Sequence, residues 1–148
     1  MFQGATQFNL DGKGRLTIPT RYRDMLLEQC AGQLVLTADA DGCLLLYPQP
    51  EWLPICEKLM KLSAFNPKIR ALQRFLVCHA EDVLMDAAGR VLISATLRDY
   101  AKLDKRVMLV GQGNKFELWD DVSWHTQSEK MSGFNADDLP PELEGFTL

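Results

Sequence analysis

Histidine is scarce in this chain of 148 residues: only His79 and His125 occur, and they do not form a His-x-x-x-His pair. The four cysteines, Cys30, Cys43, Cys56 and Cys78, are widely separated and include no Cys-x-x-Cys. This excludes the ligand spacing of a zinc knuckle or a dithiol redox motif. His79 beside Cys78 adds little, because adjacent residues on a helix or strand point in different directions. Also missing are a Ser/His/Asp set, a Walker-type phosphate loop and a Glu-His pairing with ligand spacing. Gly111-x-Gly113 lacks the third glycine of a dinucleotide fingerprint and falls in a hairpin turn. The expectation is a protein that is not an enzyme, with no metal, no cofactor and no small-molecule substrate. No apolar run approaches the ~20 residues needed to cross a bilayer. Met1-Phe2-Gln3-Gly4-Ala5 has neither the charged start nor the apolar core of a signal peptide. A cytoplasmic location without membrane contact follows as an expectation, with the cysteines as buried free thiols in a reducing compartment.

A general excess of base is missing too. The formal charge is −4, with hydrophobic residues at 47% and charged ones at 24%, as in ordinary globular domains. Such a length supports one substantial core or two small intertwined ones. The charge is unevenly spread. From Asp120 onward the acids are Asp120, Asp121, Glu129, Asp137, Asp138, Glu142 and Glu144 against Lys130 alone, a net −6, which leaves the body at +2. Within 11–23, Lys13, Arg15, Arg21 and Arg23 face only Asp11. The chain has a basic front end and an acidic tail, and this distribution says more about partners than the total does.

What the sequence does have is a duplicated motif. Asp11-Gly12-Lys13-Gly14-Arg15-Leu16-Thr17-Ile18-Pro19 returns as Asp86-Ala87-Ala88-Gly89-Arg90-Val91-Leu92-Ile93-Ser94. Each copy is followed, at constant spacing, by Arg-Asp: Arg23-Asp24 and Arg98-Asp99. A motif repeated with its downstream context marks an internal duplication. Its physics is that of a tight turn feeding a strand. Asp11 and Asp86 can accept hydrogen bonds from N–H groups two residues on. Gly14 and Gly89 can take positive φ. Arg15 and Arg90 then stand just past the turn, where a long cation reaches outward from a rigid base. The bland alternative is an arginine tied to the aspartate of its own turn, four residues back.

The rest of the chain fits two similar units. Phe2–Phe8 reads as a strand, and Leu16–Ile18 as a second. Thr20 is placed to cap a helix over Arg21–Glu28, with Tyr22, Met25, Leu26 and Leu27 on its apolar side and Gly32 at its end. Leu34–Thr37 and Cys43–Tyr47 form a hairpin around Asp39-Ala40-Asp41-Gly42. In the second unit, Val107–Val110 and Lys115–Trp119 do so around Gly111–Asn114. A tryptophan follows each hairpin, Trp52 and Trp124, in a first helical turn. Between the units lie two helices. One carries Trp52, Ile55, Leu59 and Leu62 on its apolar face, with Pro54 in its first turn. The other begins at Asn66-Pro67 and buries Ile69, Leu72, Phe75 and Leu76. Its Lys68, Arg70 and Arg74 read first as a solvated face and second as a phosphate contact. The partition is 1–53, first half; 54–77, helical linker; 78–127, second half; 128–148, acidic tail, weakly ordered or docked through Phe134, Leu139 and Phe146. Each hairpin alone is too small to bury its apolar face. Interleaving the copies buries both faces, and the expected result is one small closed β-barrel of α+β class.

These residues carry a resemblance. The run Asp11–Arg23, Asp86–Arg90, Gly111–Trp119, the start Met1-Phe2-x-Gly4-Ala5 and Pro50-Glu51-Trp52 are similar to the MraZ family, up to about Trp124. The resemblance implies two tandem AbrB-like swapped-hairpin half-barrels with a pseudo-two-fold axis. It implies a nucleoid-associated transcription factor that is mainly a repressor and autoregulator. Its partners would be double-stranded DNA, at short direct repeats upstream of the division and cell-wall genes, and copies of itself in a ring. The family's DNA contacts map onto Lys13 and Arg15 in the first copy and Arg90 in the second. Arg21 and Arg23 open a helix whose amides can help hold a phosphate. Asp11, Gly14, Asp86 and Gly89 are the structural members of the motifs. The second copy departs from the first in having Ala87-Ala88 for Gly12-Lys13 and Ser94 for Pro19, so it offers one cation instead of two. The rival expectations are an oligomeric scaffold that touches no DNA and an AbrB-like antitoxin, which would carry one hairpin copy instead of two.

Overall fold

A computed structural model describes residues 1–131 and 140–146. The elements run β1 Ala5–Asn9, β2 Arg15–Thr17, α1 Thr20–Cys30, β3 Gln33–Ala38, β4 Leu44–Pro48 and α2 Gln49–Met60 in the first copy. After α3, Pro67–Cys78, the series repeats as β5 Glu81–Leu84, β6 Arg90–Leu92, α4 Ala95–Tyr100, β7 Arg106–Gly111, β8 Phe116–Asp120 and α5 Asp121–Met131. Motif positions in the two copies are offset by 75 residues throughout.

The copies exchange strands. The main sheet is antiparallel in the order β1-β7-β8-β4-β3-β5. Thus β1 of the first copy lies on the second hairpin, with Ala5 opposite Val110, while β5 of the second lies on the first hairpin, with Glu81 opposite Leu36. A separate two-stranded ribbon joins β2 to β6, again one strand from each copy. The sequence expectation of a closed barrel is corrected here. The sheet has two edges, β1 and β5, and no ladder joins them among the described residues.

Burial explains this layering. In β3, Leu34, Leu36 and Ala38 enter one core with Leu44, Leu46, Leu109, Phe116 and Leu118, closed by Leu16 and Val91 of the ribbon, Leu26 of α1 and Leu97 of α4. Val35, Leu45, Tyr47, Val110 and Trp119 point the other way, onto Trp52 of α2 and Trp124 of α5. The inner strands β3 and β4 are therefore largely apolar on both faces and read as nearly continuous runs, whereas the edge strands alternate. Edge β5 carries Glu81 and Asp82, charges that discourage strand addition.

Several local expectations change. Pro19, not Thr20, occupies the N-cap of α1 and supplies no side-chain bond, whereas Ser94 Oγ caps α4 by accepting from the Leu97 N–H at 3.3 Å. Met25 and Leu27 are exposed, and only Tyr22 and Leu26 of α1 are buried. In α3, Leu72 is 44% exposed, and Gln73 is the buried residue instead. Its amide donates to the carbonyls of Leu59 (2.9 Å) and Leu62 (3.2 Å) at the end of α2, where that of Leu59 also accepts from the Leu62 N–H. Cys43 is buried, but Cys78 is exposed. Helix α5 extends to Met131, past the start assigned to the tail. Phe146 is exposed, and Phe134 and Leu139 lie outside the described residues.

Candidate nucleic-acid interface

Both motif turns have the same atomic plan. Asp11 Oδ1 accepts from the N–H of Lys13 and of Arg15, both at 2.9 Å, while Oδ2 takes Arg15 Nε at 2.6 Å. Asp86 does the same with the N–H groups of Ala88 (3.0 Å) and Arg90 (2.8 Å) and with Arg90 Nε at 2.8 Å. The Gly14 N–H donates to the Asp11 carbonyl, and the glycine has φ of +79°, a conformation that side chains other than glycine resist.

The arginines are tied to their own turns without being buried. Each Nε is tied to its aspartate, which aims the guanidinium, yet the side chains remain 26% and 39% exposed for Arg15 and Arg90. Their terminal amino groups make no hydrogen bond to the described residues. An exposed ion pair of this kind adds little stability; its effect is orientation.

The ribbon fixes where the cations face. Leu16 and Val91 are opposite one another and buried. Side chains alternate along a strand, so Arg15, Thr17, Arg90 and Leu92 share the outward face. Arg15 is opposite Leu92 and Arg90 opposite Thr17, which makes the arginines diagonal neighbours roughly 7–8 Å apart. Thr17 and Leu92 are exposed between them. These two were not among the residues expected from the motif; their signal was the period-two alternation around Leu16 and Val91.

The other expected cations divide. Lys13 is exposed on the first turn. Arg21 is exposed and stacks on the ring of Tyr22, 4.8 Å from its centroid. Arg23 is half-buried, and its Nε donates to the Ile18 carbonyl at 2.8 Å. Its guanidinium lies under Gly89 of the opposite motif, so it belongs to the base of the turn more than to its surface. Lys68, Arg70 and Arg74 are solvated on α3. A cleft of about 350 Å³ borders the first turn, lined by Leu10, Gly12, Gly14, Arg98 and Lys105 among others.

Electrostatics favour a permanently charged loop. The Arg15 N–H, above all, holds the Asp11 carboxyl down to about 2 from the usual 3.8, helped by the Arg15 side chain and the Lys13 N–H against an opposing effect of desolvation. Asp86 is lowered for the same first reason, the Arg90 N–H. A lowered carboxyl pKa contributes stability above its unfolded value and loses it as pH falls. The Asp11 clamp is thus expected to be constant through neutral pH and to open only between about pH 4 and 2. Carbon-13 titration of the Asp11 carboxyl in the DNA-free protein checks this: the midpoint should fall near 2, and a midpoint at 3.8 would contradict the clamp.

Away from this face, Asp39, Cys43 and Glu117 bring ligand atoms within 4.8 Å of one another, the one such group among the described residues. The Cys43 thiol is pushed far up by burial first and by Glu117 and Asp39 second, and stays protonated to donate to Asp39 Oδ2 at 3.8 Å. It serves as a polar tie within the first hairpin.

The sequence is similar to known proteins along its whole length. A family described as "MraZ protein, putative antitoxin-like" matches twice, over 1–75 and 76–141, which divides the chain at the duplication. A protein called transcriptional regulator MraZ in Escherichia coli O9:H4 is 59% identical over 152 aligned positions, covering all of both chains. Those of Nitrosomonas eutropha and Nitrosospira multiformis, of the same name, are each 55% identical over 148 residues, again across both full lengths. Transcriptional regulators are not normally enzymes. With both halves matched and full-length relatives well above half identical, this chain belongs to the MraZ family.

Proposed function

We propose that this chain is a sequence-specific DNA-binding transcriptional regulator that lays the β2–β6 ribbon into the major groove. The observation that carries this reading is the shared outward face of Arg15 and Arg90. A major groove about 12 Å wide admits a two-stranded ribbon. Arginine terminal amino groups, aimed by an aspartate on Nε, suit guanine O6 and N7 or a phosphate. Lys13 supplies a point charge for phosphate. Arg21 and the uncapped start of α1 add to the first copy, whereas Ser94 closes the corresponding helix start in the second. Arg23 supports the second turn from beneath. The contact is therefore unequal, with most of it from the first copy. The relatives' name, transcriptional regulator, supports the same reading.

The fold is read as an AbrB-like exchange of hairpins within one chain. The protein acts from the cytoplasm, on the nucleoid, mainly as a repressor that also controls its own operon of division and cell-wall genes. One subunit offers few cations, so the working form is a ring that engages several short direct repeats. Linked sites of this sort gain 10²–10⁴-fold through effective concentration, an order-of-magnitude range. Exposed apolar residues on and between α2 and α3, including Met60, Leu62, Phe65 and Leu72, are suited to self-assembly.

The test is footprinting and salt-dependent binding on duplex DNA taken from just upstream of the chain's own coding region. Protection of evenly spaced short boxes is expected. Each pair of loops has four candidate cations in Lys13, Arg15, Arg21 and Arg90, so log affinity should fall with log salt by a slope of at most about −4 per pair, reached when all four meet phosphate. Absence of protection together with a flat salt response would turn the assignment toward the scaffold reading.

A further inference from the structure

The arginines of the two Arg-Asp pairs that follow the motifs lie beneath the turns, and the fold crosses them. Arg98, on α4 of the second copy, lies against Gly14 of the first. A Cβ built on Gly14 would sit 2.7 Å from Arg98 Cζ. Arg23, on α1 of the first copy, lies against Gly89 of the second, where a Cβ would sit 2.8 Å from Arg23 Cζ. Real Cβ atoms do not approach so closely, so each flat guanidinium occupies the space that a side chain on the glycine would need. Both glycines are buried under these contacts. The backbone is crossed in the same sense: the Ile18 N–H donates to Gly89 O at 2.7 Å and the Ile93 N–H to Gly14 O at 3.0 Å. Each DNA-facing turn thus rests on an arginine and an isoleucine of the other copy.

The braces are not identical. Arg23 is itself anchored, through Nε to the Ile18 carbonyl. Arg98 Nε is buried and has no partner among the described residues. The support of the first turn therefore comes from packing of the guanidinium plane, without a hydrogen bond at Nε to fix it.

We infer that Arg98 and Arg23 are crossed positioning residues, Arg98 setting the turn that carries Lys13 and Arg15, and Arg23 setting the turn that carries Arg90. The DNA arm of this inference rests on the function proposed above; the geometry of the turns does not. Removing a brace leaves a void under a glycine turn, which then samples conformations in which its arginine is misaimed. The coupling must run between copies, not within them. No sequence argument gives that sign, since Arg23 is nearer in the chain to Arg15 and Arg98 nearer to Arg90.

The experiment is a set of double-mutant cycles on the full chain, with a labelled duplex of the upstream region as probe and thermal unfolding as a check on folding. At reduced salt, where Arg15→Ala still binds measurably, Arg98→Ala should weaken binding about tenfold, yet add less than about twofold on an Arg15→Ala background and keep its full effect on Arg90→Ala. Arg23→Ala should show the reverse preference. Arg98→Lys, which keeps the charge but not the flat fork, should not rescue. Arg98→Gln replaces Arg98→Ala if the latter does not fold. In DNA-free protein, amide shifts at 11–16 should move in the Arg98 variants and those at 86–91 in the Arg23 variants. Coupling within a copy, or equal losses on both backgrounds, overturns the inference. If the wild-type chain binds no DNA, the function proposed above falls, and the amide shifts alone decide the bracing: shifts confined to each variant's own copy would reject it.

Discussion

Arg15→Ala is expected to abolish binding to the upstream DNA at physiological salt while leaving the fold intact. A bidentate arginine contact is worth about 1–3 kcal/mol of discrimination at one site. In an assembly that binds through several loops together, that loss recurs at each one and erodes the gain from linkage. Folding should be nearly unaffected, within about 0.5 kcal/mol, because the side chain is partly exposed and its ion pair lies at the surface. The core-facing residues of the ribbon, Leu16 and Val91, are untouched. Arg15→Lys separates charge from shape: it should keep most of the salt dependence but lose selectivity, since an ammonium cannot make the forked contact. Arg90→Ala should cost less, because the second turn has no lysine beside it. Fluorescence anisotropy at two salt concentrations, with circular dichroism alongside, measures all three. An Arg15→Ala protein that folds and binds normally would remove the ribbon from the interface.

Phe116→Ala is expected to be the most damaging change to the fold. Phe116 is 1% exposed and stacks on Phe2, with ring centroids 4.2 Å apart, while Tyr22 meets it edge-on at 5.2 Å. These rings come from three places: the N-terminal segment, α1 of the first copy and β8 of the second. Tyr22 also donates its hydroxyl to the Gln3 carbonyl at 2.9 Å, and Phe2 exchanges backbone bonds with Gly113. Truncating a buried phenylalanine costs about 3–5 kcal/mol, a large share of the roughly 5–15 kcal/mol that holds a domain folded. Here the void opens where the copies are sewn together. Urea unfolding should show the loss, and Phe146→Ala, at a side chain 66% exposed, should show almost none. Equal midpoints for the two variants would mean that the aromatic contact carries no weight.

Much of this was readable before any coordinates, and the reason is local. Asp-x-x-Gly-Arg specifies its own turn: one carboxylate satisfies two N–H groups and an arginine, and one glycine accepts the left-handed backbone. The information is contained in five consecutive residues, so both turns are legible in the sequence. Asn66-Pro67 identified the start of α3 for the same reason, and Asn66 Oδ1 does accept from the Lys68 N–H. What the sequence could not give depends on packing between distant segments. Leu72 and Gln73 exchange burial because the end of α2 presents carbonyls within reach of the Gln73 amide, a fact outside the α3 sequence. Barrel closure was expected from the need to cover apolar faces, but the ribbon and helices cover them without joining β1 to β5. In the candidate site, Lys13, Arg15 and Arg90 were legible from the motifs. The crossing of Arg23 and Arg98 was not, although the repetition of Arg-Asp at constant spacing was its trace.

The strand exchange also sets a timetable. Strand β1 leaves the ribosome about 100 residues ahead of its partner β7, which at 5–20 residues per second is roughly 5–20 s of translation. Through that interval Ala5–Asn9 is an unpaired strand, and the first hairpin waits for β5 and β8 to cover its flanks. The second hairpin emerges when its partners already exist. The two copies, alike in space, are unlike in biogenesis: the nascent first half is the one whose strands wait for partners.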